Sequence, residues 1–204
     1  MRSHVLSATK IAYSFAPGLL IAGPDLGDPN FDRTVVLMTE HGEQGAMGFV
    51  LNRVSEVSME EIAAGLEVEL GDDAAGALVV NGGPVQEGML WVLFKHAADD
   101  DAAYEEDEDG VVSLTDTLAL GHGREVLEAF VSGLRSEPFV LVLGYAGWGE
   151  TQLEEETKAG AWIPIDLDLD ILFKVPVAAR WEEALQRAGL RPGAFVMGRQ
   201  QGLA

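Results

Sequence analysis

The chain of 204 residues contains no cysteine. That excludes a disulfide framework, a thiolate zinc site and a cysteine nucleophile, and it fits a reducing compartment. Cations are scarce as well: 13 Lys and Arg stand against 34 Asp and Glu, for a formal net charge of −21. Phosphate recognition works through cations that displace counterions, so a surface this acidic repels nucleic acid and anionic membranes. Long apolar runs are also missing. The longest are broken by Pro17-Gly18 or by charges, well short of the ~20 residues a membrane helix needs. Arg2 and Lys10 ahead of Ile11 to Ala22 have the outline of a signal peptide, but Pro17-Gly18 splits that run. The expectation is a cytoplasmic protein that touches neither nucleic acid nor membrane directly.

What remains is enough for one core. Apolar residues make up 48% of the chain, and the length suits a single domain better than two. Residues 1–16 read as a weakly ordered extension and 17–204 as the domain. Asp99 to Asp109 holds eight acids in eleven residues and must be a solvated loop, since such charges cannot share a core. Removing it leaves about −13 by subtraction, so the acidity is global.

Between Pro17 and Arg53 three short apolar runs are separated by glycine, proline and aspartate clusters, the pattern of buried strands joined by tight turns. Val35 to Met38 has no polar member and should be covered on both faces. Ser58 with Glu61 forms a capping box, predicting a helix to about Leu66 with Ile62 and Leu66 inward. Further strands are expected at Ala77–Asn81, Met89–Lys95, Val111–Leu114, Phe139–Leu143, Ala161–Ile165 and Ile171–Lys174. The spacing of Val126, Leu127, Phe130, Val131 and Leu134 predicts an amphipathic helix, and two more follow at about Glu150–Lys158 and from Pro176 to Gly189.

Four groups of residues follow one another along the chain as ordered motifs. Ala22-Gly23-Pro24, Asp28-Pro29, Phe31, Arg33-Thr34-Val35-Val36 and Gly45-Ala46-Met47-Gly48 lead to Asn52. Gly82-Gly83-Pro84 is next. Leu143-Gly144-Tyr145-Ala146-Gly147-Trp148 then precedes Gln152-Leu153-Glu154 and Glu156, and Asp170 to Lys174 precedes Arg180-Trp181. Together they resemble the YqgE/AlgH family over roughly Pro17 to Ala188. The resemblance implies an α+β single domain with a large mixed, mainly antiparallel β-sheet and flanking helices. It carries no established reaction. The AlgH branch name implies a regulator of transcription, which at this charge would act through a partner.

Several features invite a chemical reading. Gly144 to Gly149 reads as a turn between a strand and a helix, a place where backbone N–H groups can cradle phosphate. Glu150 and Glu154 to Glu156 would repel an anion there, and no Walker lysine is present, so a tight turn with packed Tyr145 and Trp148 is favoured. Asp166, Asp168 and Asp170 alternate with apolar residues and would share one strand face, best read as solvated. No H-E-x-x-H or G-x-S-x-G pattern occurs, and none of His4, His41, His96 and His122 has metal-ligand spacing. The loop from Asp25 to Phe31 presents Asp25, Asp28 and Phe31, and Asn52-Arg53 and Asn81 end strands from which they can line a pocket shared with Trp148. Tyr145 is expected beside Trp148 at the binding surface. Asp25, Asp28, Phe31, Asn52, Asn81, Tyr145 and Trp148 form the candidate ligand or partner site of a non-catalytic binding or regulatory protein, with no catalytic residue, metal or cofactor assigned and an unidentified small-molecule or protein partner. The alternative is metal-assisted hydrolysis by Asp25, Asp28, Glu40 and His41.

Overall fold

In the computed structural model, which describes residues 14–23, 26–96 and 110–191, the first two strands set the pattern. They are β1 (Gly18–Ala22) and β2 (Val35–Gly42), paired antiparallel. Successive side chains of a strand point to opposite faces. Leu19, Ile21, Val35 and Leu37 enter the first of three core clusters, and Leu20, Ala22, Val36 and Met38 enter the third. Both faces are therefore covered, which is why Val35 to Met38 contains no polar residue.

The remaining elements are β3 (Gly45–Val50), α1 (Met59–Leu66), β4 (Leu78–Asn81), β5 (Val85–Lys95), β6 (Val111–Thr115), β7 (Leu118–Gly121), α2 (Arg124–Val131), β8 (Phe139–Trp148), α3 (Gln152–Lys158), β9 (Trp162–Ile165), α4 (Leu169–Phe173) and α5 (Arg180–Arg187). They build a nine-stranded sheet in the order β6-β7-β5-β8-β3-β2-β1-β9, with β4 also paired to β8. Among the described residues only the β4–β8 pairing is parallel. The domain is α+β and mainly antiparallel.

One face of the sheet packs on Ile171, Leu172, Trp181, Ala184 and Leu185 from α4 and α5. The opposite face is divided. Over β4, β5 and β7 it is covered by Ile62, Val126 and Phe130 from α1 and α2, which form the second cluster. Over β1, β2 and β3 it is covered by Leu153 of α3 and by Phe31. Arg180, only 3% exposed, joins α5 to the rest by donating to the carbonyls of Leu51 (2.5 Å), Leu172 (2.6 Å) and Val175 (3.1 Å). Burial lowers its pKa to about 10.

The expected capping box is present: Glu61 N–H donates to Ser58 Oγ at 3.2 Å, and Ser58 N–H to Glu61 Oε2 at 2.9 Å. Other expectations need correction. Ile171–Phe173 is helical, with Lys174 as the C-cap, and not a strand, because Asp168 caps α4 by accepting from Asp170 N–H at 2.9 Å. The strand β9 has already ended at Ile165, so Asp166, Asp168 and Asp170 share no strand face. Leu134 is 84% exposed, since α2 stops at Val131 and Gly133 turns the chain with φ of 76°. Strand β7 had no sequence expectation. Its four residues carry no β-branched side chain, and its place comes from pairing with β5 and β6. Residues 14–16, grouped with the extension, include Phe15, which packs on the third cluster and donates its N–H to His41 Nδ1 at 3.2 Å. The acidic run Asp99–Asp109, residues 1–13 and the tail beyond Pro192 lie outside the described residues. Among the described residues no helix is long and apolar enough to cross a membrane.

Candidate functional site

The glycine-rich motif from Gly144 to Trp148 is not a turn between strand and helix. It continues β8, and the expectation is corrected by the geometry of one residue. Gly144 has φ of 65°, in the region that favours glycine. Before it, Val140 and Val142 face the first cluster and Leu141 and Leu143 the second. After it, Tyr145 faces the first cluster, whereas Ala146 and Trp148 join the third, on the opposite side. Gly144 thus shifts the alternation by one residue, as a β-bulge does, and the β5–β8 register is irregular there.

The reason for the bulge lies in topology. Val140 to Leu143 pair with β4 on one edge and with β5 on the other. The Gly82-Gly83-Pro84 connection from β4 to β5 must therefore pass over β8. It does so in backbone contact: a Cβ on Gly144 would lie 2.7 Å from the Gly83 carbonyl oxygen, and one on Gly83 would strike the Tyr145 backbone. Gly82 N–H donates to Leu143 O at 2.7 Å, and the Gly82 carbonyl accepts from Val50 N–H at 2.8 Å. Beyond the crossing, β3 replaces β4 beside β8.

A cleft of about 390 Å³ opens beside this crossing. Val50, Leu143 and Gly83-Pro84 form its floor, and Asn30, Arg53, Asn81 and Glu87 supply its polar groups. Arg53 is held at its base, where Nη2 donates to the Asp32 carbonyl and the Arg53 carbonyl accepts from Asn81 N–H at 2.8 Å. Among the described residues the side chains of Asn81 and Glu87 make no hydrogen bond, and Arg53 makes no ion pair.

The sequence candidates that are described do not all gather there. Asn81 lines the cleft, and Asp28 stands next to it, its Oδ1 accepting from Asn30 N–H at 2.8 Å. Asn52 is committed to the backbone: Oδ1 accepts from Val35 N–H at 2.9 Å and Nδ2 donates to Arg33 O at 2.8 Å. Trp148 is 6% exposed and belongs to the core, contrary to its expected place at a binding surface. The continuation of β8 turns it under α3, against Leu153. Phe31 packs on Trp148 and Trp162, with ring centroids 6.2 and 5.6 Å apart. Tyr145, three residues from Trp148 along the strand, packs on the other face near Trp91. Asp25 lies outside the described residues.

The hydrolase set is divided too. Glu40 and His41 line a different cleft, of about 460 Å³, and His41 Nε2 contacts Glu154 Oε1 at 3.2 Å. Among the described residues no group of three or more His, Asp or Glu is placed to hold a metal ion. The residues that sequence reasoning missed are Asn30 and Glu87. Asn30 was within reach, since it sits inside the loop already singled out. Glu87 had no local signal, because its position depends on the β5–β8 irregularity.

Comparison with known proteins bears on the whole domain. Residues 19–193 match the family model described as AlgH-like. A UPF0301 protein of Anaeromyxobacter sp. (strain Fw109-5) is 46% identical over 189 residues, covering 90% of this chain and 92% of the relative. One from Paracoccus denitrificans is 38% identical, over 85% and 90% respectively. The solution structure of the AlgH protein from Pseudomonas aeruginosa matches with a TM-score of 0.71 and 32% identity over the whole of both chains. The crystal structure of a protein from Corynebacterium diphtheriae shares the fold, with a TM-score of 0.65 at 24% identity over 89% of this chain and 90% of that one.

Proposed function

The chain belongs to the AlgH-like UPF0301 family, and from that premise we propose that it is a non-catalytic cytoplasmic binding protein that receives a small polar ligand in the cleft beside the Gly83–Gly144 crossing. One observation carries this reading. Separate stretches of the chain, the loop around Asn30, the Arg53 segment, the end of β4 at Asn81 and the start of β5 at Glu87, meet at one cleft and bring polar side chains with bonding capacity to spare. Ligand pockets typically enclose about 300–1,000 Å³ and use a few placed polar groups on an apolar floor. Val50 and Leu143 provide such a floor.

A regulatory role, at a net charge of −21, runs through the ligand or a protein that senses it. The test is a thermal-shift screen of polar metabolites against the protein and its Asn81→Ala variant, with each hit recovered and analysed by NMR. The expected result is a ligand that raises the melting temperature, loses that effect in the variant and is recovered unchanged. Conversion of the ligand would overturn the non-catalytic reading. A hit indifferent to Asn81→Ala would remove the cleft from it.

A further inference from the structure

We infer that the ligand of this cleft is a small zwitterion of the α-amino-acid class, its carboxylate on Arg53 and its ammonium group on Glu87. This rests on the cleft being the binding site and adds the chemistry of what it binds. Arg53 and Glu87 line the same space, yet they form no salt bridge with each other or with another described residue. Arg33 and Arg180 also lack a carboxylate partner among the described residues, but Arg33 lies over the Trp181 ring and Arg180 donates to three backbone carbonyls. Opposite charges that line one cleft unpaired are arranged for a molecule that carries both.

Simpler ions fit less well. A monoanion drawn to Arg53 would meet the Glu87 carboxylate and the negative field of the whole chain. A monocation drawn to Glu87 would meet the guanidinium. Each mismatch acts against the wrong ligand, which is how unlike charges in one site give specificity. Arg53 has one nitrogen engaged with the Asp32 carbonyl, leaving other N–H donors for a carboxylate. Asn30 and Asn81 each add an amide that donates and accepts, suited to either end of an amino acid. The short apolar floor of Val50 and Leu143 leaves room for a compact side chain.

The experiment titrates the intact protein with the free α-amino acids and glycyl dipeptides, observed by ligand and protein NMR. Each binder is compared with its amide, which lacks the carboxylate, and its N-acetyl derivative, which lacks the ammonium group. Arg53→Gln and Glu87→Gln are measured in parallel. Glu87 sits on an exposed part of β5 and offers a variant that leaves the fold intact should Arg53→Gln disturb it. The expected result is at least one binder whose affinity falls tenfold or more on capping either end. Glu87→Gln should abolish the penalty for N-acetylation, and Arg53→Gln the penalty for amidation. Binding only of carboxylates that lack an ammonium group, with loss in Asn81→Ala, would overturn the zwitterion while leaving the cleft reading intact. Absence of any amino-acid or dipeptide binding, or binding indifferent to both capping and both variants, would also overturn it.

Discussion

Trp148 and Trp162 donate their indole N–H groups to the same carboxylate oxygen, Oε2 of Glu156, at 3.0 and 2.8 Å. The other oxygen accepts from Gln152 Nε2 at 2.7 Å. One helical side chain thereby fixes two large rings whose centroids lie 5.7 Å apart, edge to face. Glu156→Ala would leave both donors without a partner, at a cost of about 1–3 kcal/mol per buried donor. We expect urea unfolding to show a loss of at least the lower figure, and Glu156→Gln to recover most of it. An alanine variant as stable as the native protein would mean that packing alone holds the two rings.

Trp148→Ala should be costly in its own right. The ring is buried between Phe31, Trp162 and Leu153, and truncating a large buried aromatic costs about 3–5 kcal/mol. Equilibrium unfolding should show a loss in that range. A loss below about 1 kcal/mol would place the side chain at the surface after all.

The crossing of Gly83 over β8 predicts a contrast between two glycines of one strand. Gly144→Ala must hold a positive φ, which costs about 1–3 kcal/mol for a residue with a Cβ. It must also push back the Gly83 carbonyl, which would lie 2.7 Å from the new atom. Gly147→Ala has its nearest neighbour at 3.7 Å and is expected to be neutral or slightly stabilising. Thermal midpoints of the two variants decide the matter. Equal effects would show that the bulge is not tied to the crossing.

The sequence was most legible where signals are local. The capping box of Ser58 and Glu61 involves residues three apart, and Val35 to Met38 announces burial on both faces by composition alone. The motif residues were visible as a set, but their roles were not. Trp148 looked exposed because Gly147 and Gly149 flank it, and only the phase shift at Gly144 shows that its ring turns inward. That shift exists because β4 and β5 flank β8, a relation between residues more than forty positions apart. Asp168 gave a similar lesson. Alternation with apolar residues suggested a strand, but the aspartate closes a hydrogen bond to Asp170 N–H and starts a helix.

Duplex DNA should not bind. The net charge of −21 opposes association with phosphates at any distance within a Debye length, about 8 Å at physiological salt. Arg187, one of the cations nearest the C-terminal tail, is already paired with Asp168 and Glu183. Gel retardation at micromolar protein and physiological salt should show no shifted band. A salt-sensitive shift would revive direct regulation of transcription.

Arg180 yields a prediction in which pH has a definite sign. Its guanidinium is buried with no carboxylate partner among the described residues and is held by the carbonyls of Leu51, Leu172 and Val175. Arg180→Met removes the donors, and each carbonyl left unpaired costs on the order of 1 kcal/mol. The variant should therefore be less stable at neutral pH. Burial also lowers the folded-state pKa of Arg180 to about 10, below that of the unfolded chain. Above that pH the folded protein binds fewer protons than the unfolded one, so the arginine's net contribution to stability rises. Below it both states are charged and the desolvation penalty is felt in full. The native protein should gain stability relative to Arg180→Met between about pH 9 and about pH 11, and comparing the two in denaturant titrations cancels the other groups that ionise in that range. A gap that narrows over this interval would mean that the guanidinium is better solvated by its carbonyls than by water.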